Sequence, residues 1–362
     1  MRVLTVNTGS SSVKLRLLDA RDEIVSEEES EAPETDIDER GLSTAVARMG
    51  QADAVAHRIV HGGDRTEPAL LDAALHDELA RLASLAPLHQ PKSLAAVSIV
   101  GSLLPDVPAV ACFDTAFHAR MPARAAMYAL PAEWRERFAL RRYGFHGLSH
   151  AYASRRVAEL VAPAGVSRIV TCHLGAGASL AAVTGGRSID TTMGFTPLEG
   201  VVMATRSGNV DPGLVLWLLA QGLSPEEVHE GLERRSGLLG LSGTADMREL
   251  LARDDDPART ALDVYLHRLA GAIAAMAAAL GGVDALVFTG GVGERAPAIR
   301  AGVAERIGFL GITLDGRRNE AARGDAEISA EDAAARSAVV AAREDREMAR
   351  QARSLLAERA PT

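Results

Sequence analysis

RIVTCHLGAGASLAAVTGGRSIDTTMGFTPLEGVVMATRSGNVDPG, residues Arg168 to Gly213, is the stretch whose reading decides the fold. Ile169 to Cys172 is an apolar run of strand character, and at His173 to Ser179 it gives way to glycine, alanine and serine. A second apolar run, Leu180 to Val183, ends at Gly185-Gly186, a hairpin turn signal. The stretch closes on Thr205, Arg206, Ser207, Gly208 and Asp211. A strand feeding a small-residue loop lets backbone N–H groups approach a phosphate, since no bulky side chain stands between.

The beginning of the chain carries a partner to this stretch. Val3 to Ser12 lies over Ile169 to Ala178 without a gap: apolar positions coincide, and so do Thr5 with Thr171 and Gly9 with Gly175. A polar side chain, Asn7 or His173, ends each strand, and a tight small-residue turn follows. Two half-molecules that each offer a phosphate-facing hairpin would hold a nucleotide between them. That is the plan of the actin-like and sugar-kinase-like ATPases.

Outward from these hairpins, strands alternate with helices, which favours α/β layers. Strand-like runs are Ala54–Val60, Val107–Phe113, Ala285–Thr289 and Ala338–Ala341, and residues 23–40 read as an edge strand with a solvated connection. Helical spacing covers Leu42–Met49, Leu75–Ala86, Ser93–Leu103, Ala132–Phe138, Ala151–Val161, Leu214–Gln221, Ser224–Glu233, Pro257–Gly281, Pro297–Ile307 and Glu344–Glu358. In SPEE, Ser224 supplies an N-cap, Pro225 the first position and Glu226-Glu227 the first-turn acids. GGVGER lacks the spacing of a dinucleotide fingerprint and reads as a flat loop against a purine or a strand-to-helix turn.

The 362 residues allow two domains. A net charge of −9 argues against nucleic acid as a partner and gives no reason to expect an anionic membrane surface. The N-terminus shows no apolar signal segment, and the apolar run Leu269–Leu280 falls short of the roughly 20 residues a bilayer needs, so a cytoplasmic protein is expected. Cys112 and Cys172 sit in apolar strand-like runs and read as buried thiols.

Several side chains stand where chemistry is done. Lys14 follows the serine-rich hairpin, in reach of a phosphate or of solvent alone. Arg58 and Arg206 each adjoin a strand end and a glycine, and a planar fork matches carboxylate or phosphate. Asp114 ends an apolar strand, as a catalytic carboxylate or a helix cap would; His146 lies between glycines that let a ligand approach.

As a set, VNTGSSSVK, HRIVHGG, APLHQP, FDTAFH, YGFHGLSH, HLGAGAS, DTTMGFTPLEG, TRSGNVDPG and FTGGVGER resemble the acetokinase family, in the family's order and across nearly the whole chain. The resemblance implies an α/β, two-domain actin-like ATPase (ribonuclease H-like) fold with duplicated mixed β-sheet cores and a central nucleotide cleft. Residues 1–114 with 344–362 would form the N-terminal domain and 115–343 the nucleotide-binding domain. It further implies a homodimer and ATP/ADP with Mg²⁺ (Mn²⁺ as a substitute). The reaction would be reversible transfer of the γ-phosphoryl group to a small carboxylate, acetate first and propionate as the alternative.

By the same resemblance, Asn7 and Glu344 belong to the metal, and Arg58 holds the carboxylate. Asp114 is the catalytic acid, while His146 and Arg206 stabilise the moving phosphoryl. Val60, Leu88, Phe145 and Pro197 form the apolar pocket. Ser10, Ser12, Lys14, His173, Leu174, Gly175, Ala176, Gly177, Asp246, Met247, Arg248, Gly291, Val292, Gly293, Glu294 and Arg295 line the nucleotide. The chain departs from the pattern in Ala176, where the family loop HLGNGAS has asparagine, and in AAREDRE, where it has PTNEE. These departures open a second expectation, a nucleotide-binding paralogue of low turnover.

Overall fold

The computed structural model describes residues 1–9, 12–31, 37–87, 89–161 and 165–359. The chain divides into two compact units: residues 1–120, 145–152 and 343–362, and residues 121–144 and 153–342.

The first unit is built on a six-stranded sheet, β1 (Val3–Thr8), β2 (Ser12–Leu18), β3 (Ile24–Glu31), β4 (Ala54–Ile59), β5 (Ala69–Leu70) and β6 (Ala109–Phe113), in the order β3-β2-β1-β4-β6-β5. β1 pairs antiparallel with β2 and parallel with β4; β4 pairs parallel with β6. The second unit repeats this strand for strand. Its strands are β7 (Arg168–Leu174), β8 (Ala178–Thr184), β9 (Arg187–Thr191), β10 (Ala285–Thr289), β11 (Ala326–Glu327) and β12 (Arg336–Val339), in the order β9-β8-β7-β10-β12-β11. β7 is antiparallel to β8 and parallel to β10, which is parallel to β12.

The sequence overlay of the two hairpins holds in side-chain detail. Thr5 and Thr171 are both buried, and each hydroxyl donates to the carbonyl of its cross-strand partner, Arg16 or Ala181. The turns differ by one residue: Gly9 N–H donates to Ser12 O, three positions on, at 2.8 Å, whereas Gly175 N–H donates to Gly177 O, two positions on, at 3.0 Å.

Parallel strands need cover on both faces. In the first unit, Met348, Ala349 and Ala352 of helix Glu344–Glu358 pack with Val3, Ala56, Val110 and Cys112. Val100 and Ala96 of helix Gln90–Leu103 join Leu4, Val6 and Val55 on the opposite side. In the second unit, helix Asp256–Leu280 lies against β7, β8 and β9. It buries Ala258, Ala261, Tyr265, Leu269, Ile273 and Met276 at helical spacing and stops at Gly281, whose φ of 69° a side chain would strain. Its 25 residues match the helix expected over Pro257–Gly281. By length and composition alone it could cross a membrane, which the shorter apolar run Leu269–Leu280 did not suggest; its buried stripe packs on the sheet.

Other differences are local. Helix Gln90–Leu103 starts before Ser93 because Pro91 fits the first turn, where a missing N–H costs nothing. The expected helix Leu75–Ala86 is instead Ala73–Arg81 followed by a 3₁₀ turn, Ala83–Leu85. GGVGER folds as a short helix, Gly290–Arg295, so the flat-loop reading is replaced. Cys112 and Cys172 are buried and free.

Candidate active site

In the first unit, parallel β1, β4 and β6 bring Asn7, Arg58 and Asp114 to the carboxyl ends of adjacent strands, where open α/β sheets bind ligands. Arg58 Nε and Nη2 donate to Asp114 Oδ2 at 3.0 and 2.7 Å, and Nη1 donates to Asn7 Oδ1 at 3.1 Å. Burial works against the Arg58 charge, but the Asp114 carboxylate, helped by Glu344, holds its pKa above the ordinary value. Asp114 is 1% exposed, and its other oxygen, Oδ1, is buried with no partner among the described residues. A buried carboxylate oxygen left unpaired is costly unless a ligand completes it.

The loop before helix Gly147–Leu160 is drawn tightly to Asp114. Gly147 N–H donates to Asp114 O at 3.0 Å, and a Cβ on Gly147 would stand 2.1 Å from that oxygen. His146 is held at φ 56°, a left-handed conformation that a non-glycine residue adopts only under constraint, and such constraint gathers at functional sites. Val60 and Phe145 are buried. His61 meets the Phe145 ring edge-on at 5.7 Å, and His118 Nε2 is 3.1 Å from Phe145 O. Lys14 pairs in register with Asn7, but its half-exposed ammonium leans to Glu29 at 3.5 Å, which also accepts from Ser12 Oγ. Ser10 and Leu88 lie outside the described residues.

In the second unit the β7–β8 turn, the segment Met203–Arg206 and the end of β10 come together. Ala204 N–H donates to Ala176 O at 3.1 Å. His173 pairs in register with Thr289, and Gly290 approaches Leu174 so closely that a Cβ would sit 2.8 Å from its oxygen. Gly291 to Arg295 follow on their short helix, with buried Arg300 donating to Gly293 O and Glu294 O, both at 2.9 Å. Asp246 caps helix Met247–Leu251 and pairs with Arg248 at 2.7 Å, both exposed. Pro197 O accepts from Arg206 Nη1 at 3.4 Å. Ala176 presents an exposed methyl at the turn.

Sequence reading missed three supports. Gln90, fully buried, accepts from His61 N–H and donates to His61 O, fixing the turn after β4. Glu199 takes Arg142 at 2.5 Å and the Tyr128 hydroxyl at 2.5 Å, pinning the loop that contains Pro197. Glu233 pairs with Arg206 at 3.2 Å. Only the strand-end glycine of HRIVHGG hinted at the first; the partners in the other two are set by tertiary contact alone.

Among the described residues no group of three or more His, Cys, Asp and Glu is arranged to hold a metal. Asn7, Asp114 Oδ1 and Glu344 are hard oxygen donors, which suits Mg²⁺, an ion that keeps several waters and takes one or two carboxylates beside substrate phosphates.

The family model of the acetokinase family matches residues 36–350. The chain is 42% identical to the acetate kinase of Thermosipho africanus, covering 98% of each, and 43% identical to that of Streptomyces coelicolor, covering 96% of the chain and 94% of the relative. Among solved structures it is similar to the acetate kinase of Porphyromonas gingivalis, with TM-score 0.87, 34% identity and coverage of 98% and 99%. It is equally similar in fold to a propionate kinase of Francisella tularensis, with TM-score 0.87, 32% identity and coverage of 97% and 98%. With its duplicated mixed sheets, the chain has the two-domain actin-like α/β ATPase fold.

Proposed function

The chain belongs to the acetokinase family, and from that premise we propose that it transfers the γ-phosphoryl group of ATP reversibly to acetate by direct in-line displacement. The observation that carries the reading is the Arg58–Asp114–Asn7 group, with its buried, unpartnered Asp114 oxygen. Asp114 occupies the Nε–Nη2 edge of Arg58, so an acceptor carboxylate meets the Nη1–Nη2 edge and is aimed for attack. Phosphoryl transfer spreads negative charge over three equatorial oxygens and asks for positioning and positive charge more than covalent help. Arg206 and His146 are assigned that charge, and Val60, Leu88, Phe145 and Pro197 the methyl group. The β7–β8 turn (His173 to Gly177), Asp246 to Arg248, Gly291 to Arg295 and the first hairpin (Ser10, Ser12, Lys14) are assigned the nucleotide. Asn7, Glu344 and Asp114 Oδ1 would hold Mg²⁺, which when bound neutralises phosphate charge. The functional domains are assigned as 1–114 with 344–362, and 115–343.

We also assign the chain to a homodimer. Helix Pro212–Ala220, PGLVLWLLA, has no buried residue and exposes Leu214, Leu216 and Trp217. An all-apolar helix left largely exposed marks an interface.

The test is ADP release with Mg²⁺ on acetate, propionate and butyrate. Val60 crowds a longer chain, and a methylene in such a pocket is worth about 1–3 kcal/mol, so acetate should lead propionate modestly. Butyrate preferred over acetate would sink the pocket assignment. A second reading, a nucleotide binder of low turnover, is favoured by the bare Ala176 methyl at the turn. The same assay on Ala176→Asn separates the two, since a missing transition-state donor costs about 10- to 1000-fold in rate. ATP binding with no turnover in either form would support the second reading.

A further inference from the structure

Arg206 lies outside any helix or strand, and its loop needs an external anchor. Helix Pro225–Arg234 supplies one. It is opened by a complete capping box, in which Ser224 accepts from Glu227 N–H and Glu227 from Ser224 N–H. Its last turn is stitched to the loop: Thr205 Oγ1 donates to Glu233 O at 2.9 Å and Ser207 N–H to Leu232 O at 3.0 Å. Just beyond the helix, Ser236 N–H donates to Thr205 O at 2.9 Å.

From this turn the Glu233 side chain reaches Arg206. Nε of the guanidinium is 3.2 Å from Glu233 Oε2, with the side chains 11% and 7% exposed. No donor is squarely directed at that oxygen, and the contact is a close ion pair in which opposite charge is the larger attraction and hydrogen bonding the smaller. Nη1 points to Pro197 O and Met203 Sδ, at 3.4 and 3.7 Å. Nη2 makes no hydrogen bond to the described residues.

We infer that Glu233 is a positioning residue: its carboxylate holds the Nε edge of Arg206 so that Nη2 is presented to the transferring phosphoryl group. The inference rests on the assignment of Arg206 to phosphoryl transfer. A long, rotamer-rich side chain held at one edge keeps one orientation, and misplacement by about 1 Å can cost 100-fold in rate. Burial pushes the Arg206 guanidinium below its ordinary pKa and the Glu233 charge opposes this, so the pair also keeps the arginine cationic.

Steady-state kinetics on four variants test it. Glu233→Gln keeps shape and removes charge; kcat should fall about 10- to 100-fold while KM for ATP and for acetate moves less than about threefold. Glu233→Asp keeps the charge and should fall between wild type and Gln. Arg206→Ala should be crippled, and adding Glu233→Gln to it should cost nothing further, as expected when one residue acts through the other. Wild-type kcat in Glu233→Gln with Arg206→Ala crippled overturns the inference and leaves the arginine's role intact. A rise in kcat overturns it too, showing that the carboxylate damps the arginine. Full activity in Arg206→Ala overturns the arginine assignment itself. Thermal unfolding is read alongside: if Gln and Asp variants both fail to fold, Glu233 is structural and the inference falls.

Discussion

Gly147 stands where a side chain has no room. Its missing Cβ would lie 2.1 Å from Asp114 O and 2.8 Å from the Phe117 Cβ, neither of which is the far end of a flexible chain. Gly147→Ala therefore must push the backbone of Asp114. The overpacking should cost about 1–3 kcal/mol of stability. A displaced Asp114 carries Arg58 with it, which should lower kcat by about 100-fold. Gly101 is the matched control: it lies in helix Gln90–Leu103 with nothing within 4 Å of the Cβ position. Gly101→Ala should stabilise by about 0.4–1 kcal/mol, through the unfolded chain, with kcat unchanged. Thermal melts and kinetics on both variants decide, and a Gly147→Ala protein as stable as wild type would show that the loop yields. At this scale Arg58, Asp114 and His146 were legible because strand ends and flanking glycines leave a local mark. Glu233 was not, for its meaning comes from a loop 27 residues earlier in the chain.

The helix Pro212–Ala220 carries the clearest prediction among the elements. Its start is written in the chain: Asp211 accepts from Gly213 N–H and Pro212 occupies the first turn. What the sequence did not show is that none of its residues is fully buried, with only Val215, Leu218 and Leu219 partly covered. Leu216 and Trp217 are 69% and 57% exposed, so a charge at either position should alter the stability of the single chain by no more than about 0.5 kcal/mol. Leu216→Glu should nonetheless abolish self-association. Light scattering should show the mass fall from twice 38.0 kDa to 38.0 kDa. A wild-type chain already monomeric at micromolar concentration would remove this face from the argument. The same contrast runs through the strands. β1–β2 and β7–β8 were readable as repeats because a buried threonine and a turn glycine recur in both. β5 and β11, of two residues each, exist only because a neighbouring strand offers them an edge, which no short-range pattern can announce.

Across the whole molecule, acid resistance should be unequal. His57, His61 and His118 are buried, and burial lowers their pKa values from 6.5 to about 3, 4 and 4. All three belong to the first unit. As pH falls below 6.5, the unfolded chain takes protons on these rings while the folded one does not. Stability held by keeping them neutral is therefore complete above that pH and is lost as pH descends toward the folded values. Each ring contributes about 1.4 kcal/mol per pH unit within this window. The first unit should thus loosen between pH 6.5 and 4, before most carboxylates titrate. Hydrogen exchange at pH 4.5 should show protection lost in β4 (Ala54–Ile59) while β10 (Ala285–Thr289) keeps it. His57→Leu should make the urea midpoint less steep in pH over the same range. Equal protection in both sheets, or a wild-type midpoint flat from pH 7.5 to 4.5, would mean that the folded protein protonates these rings at little cost.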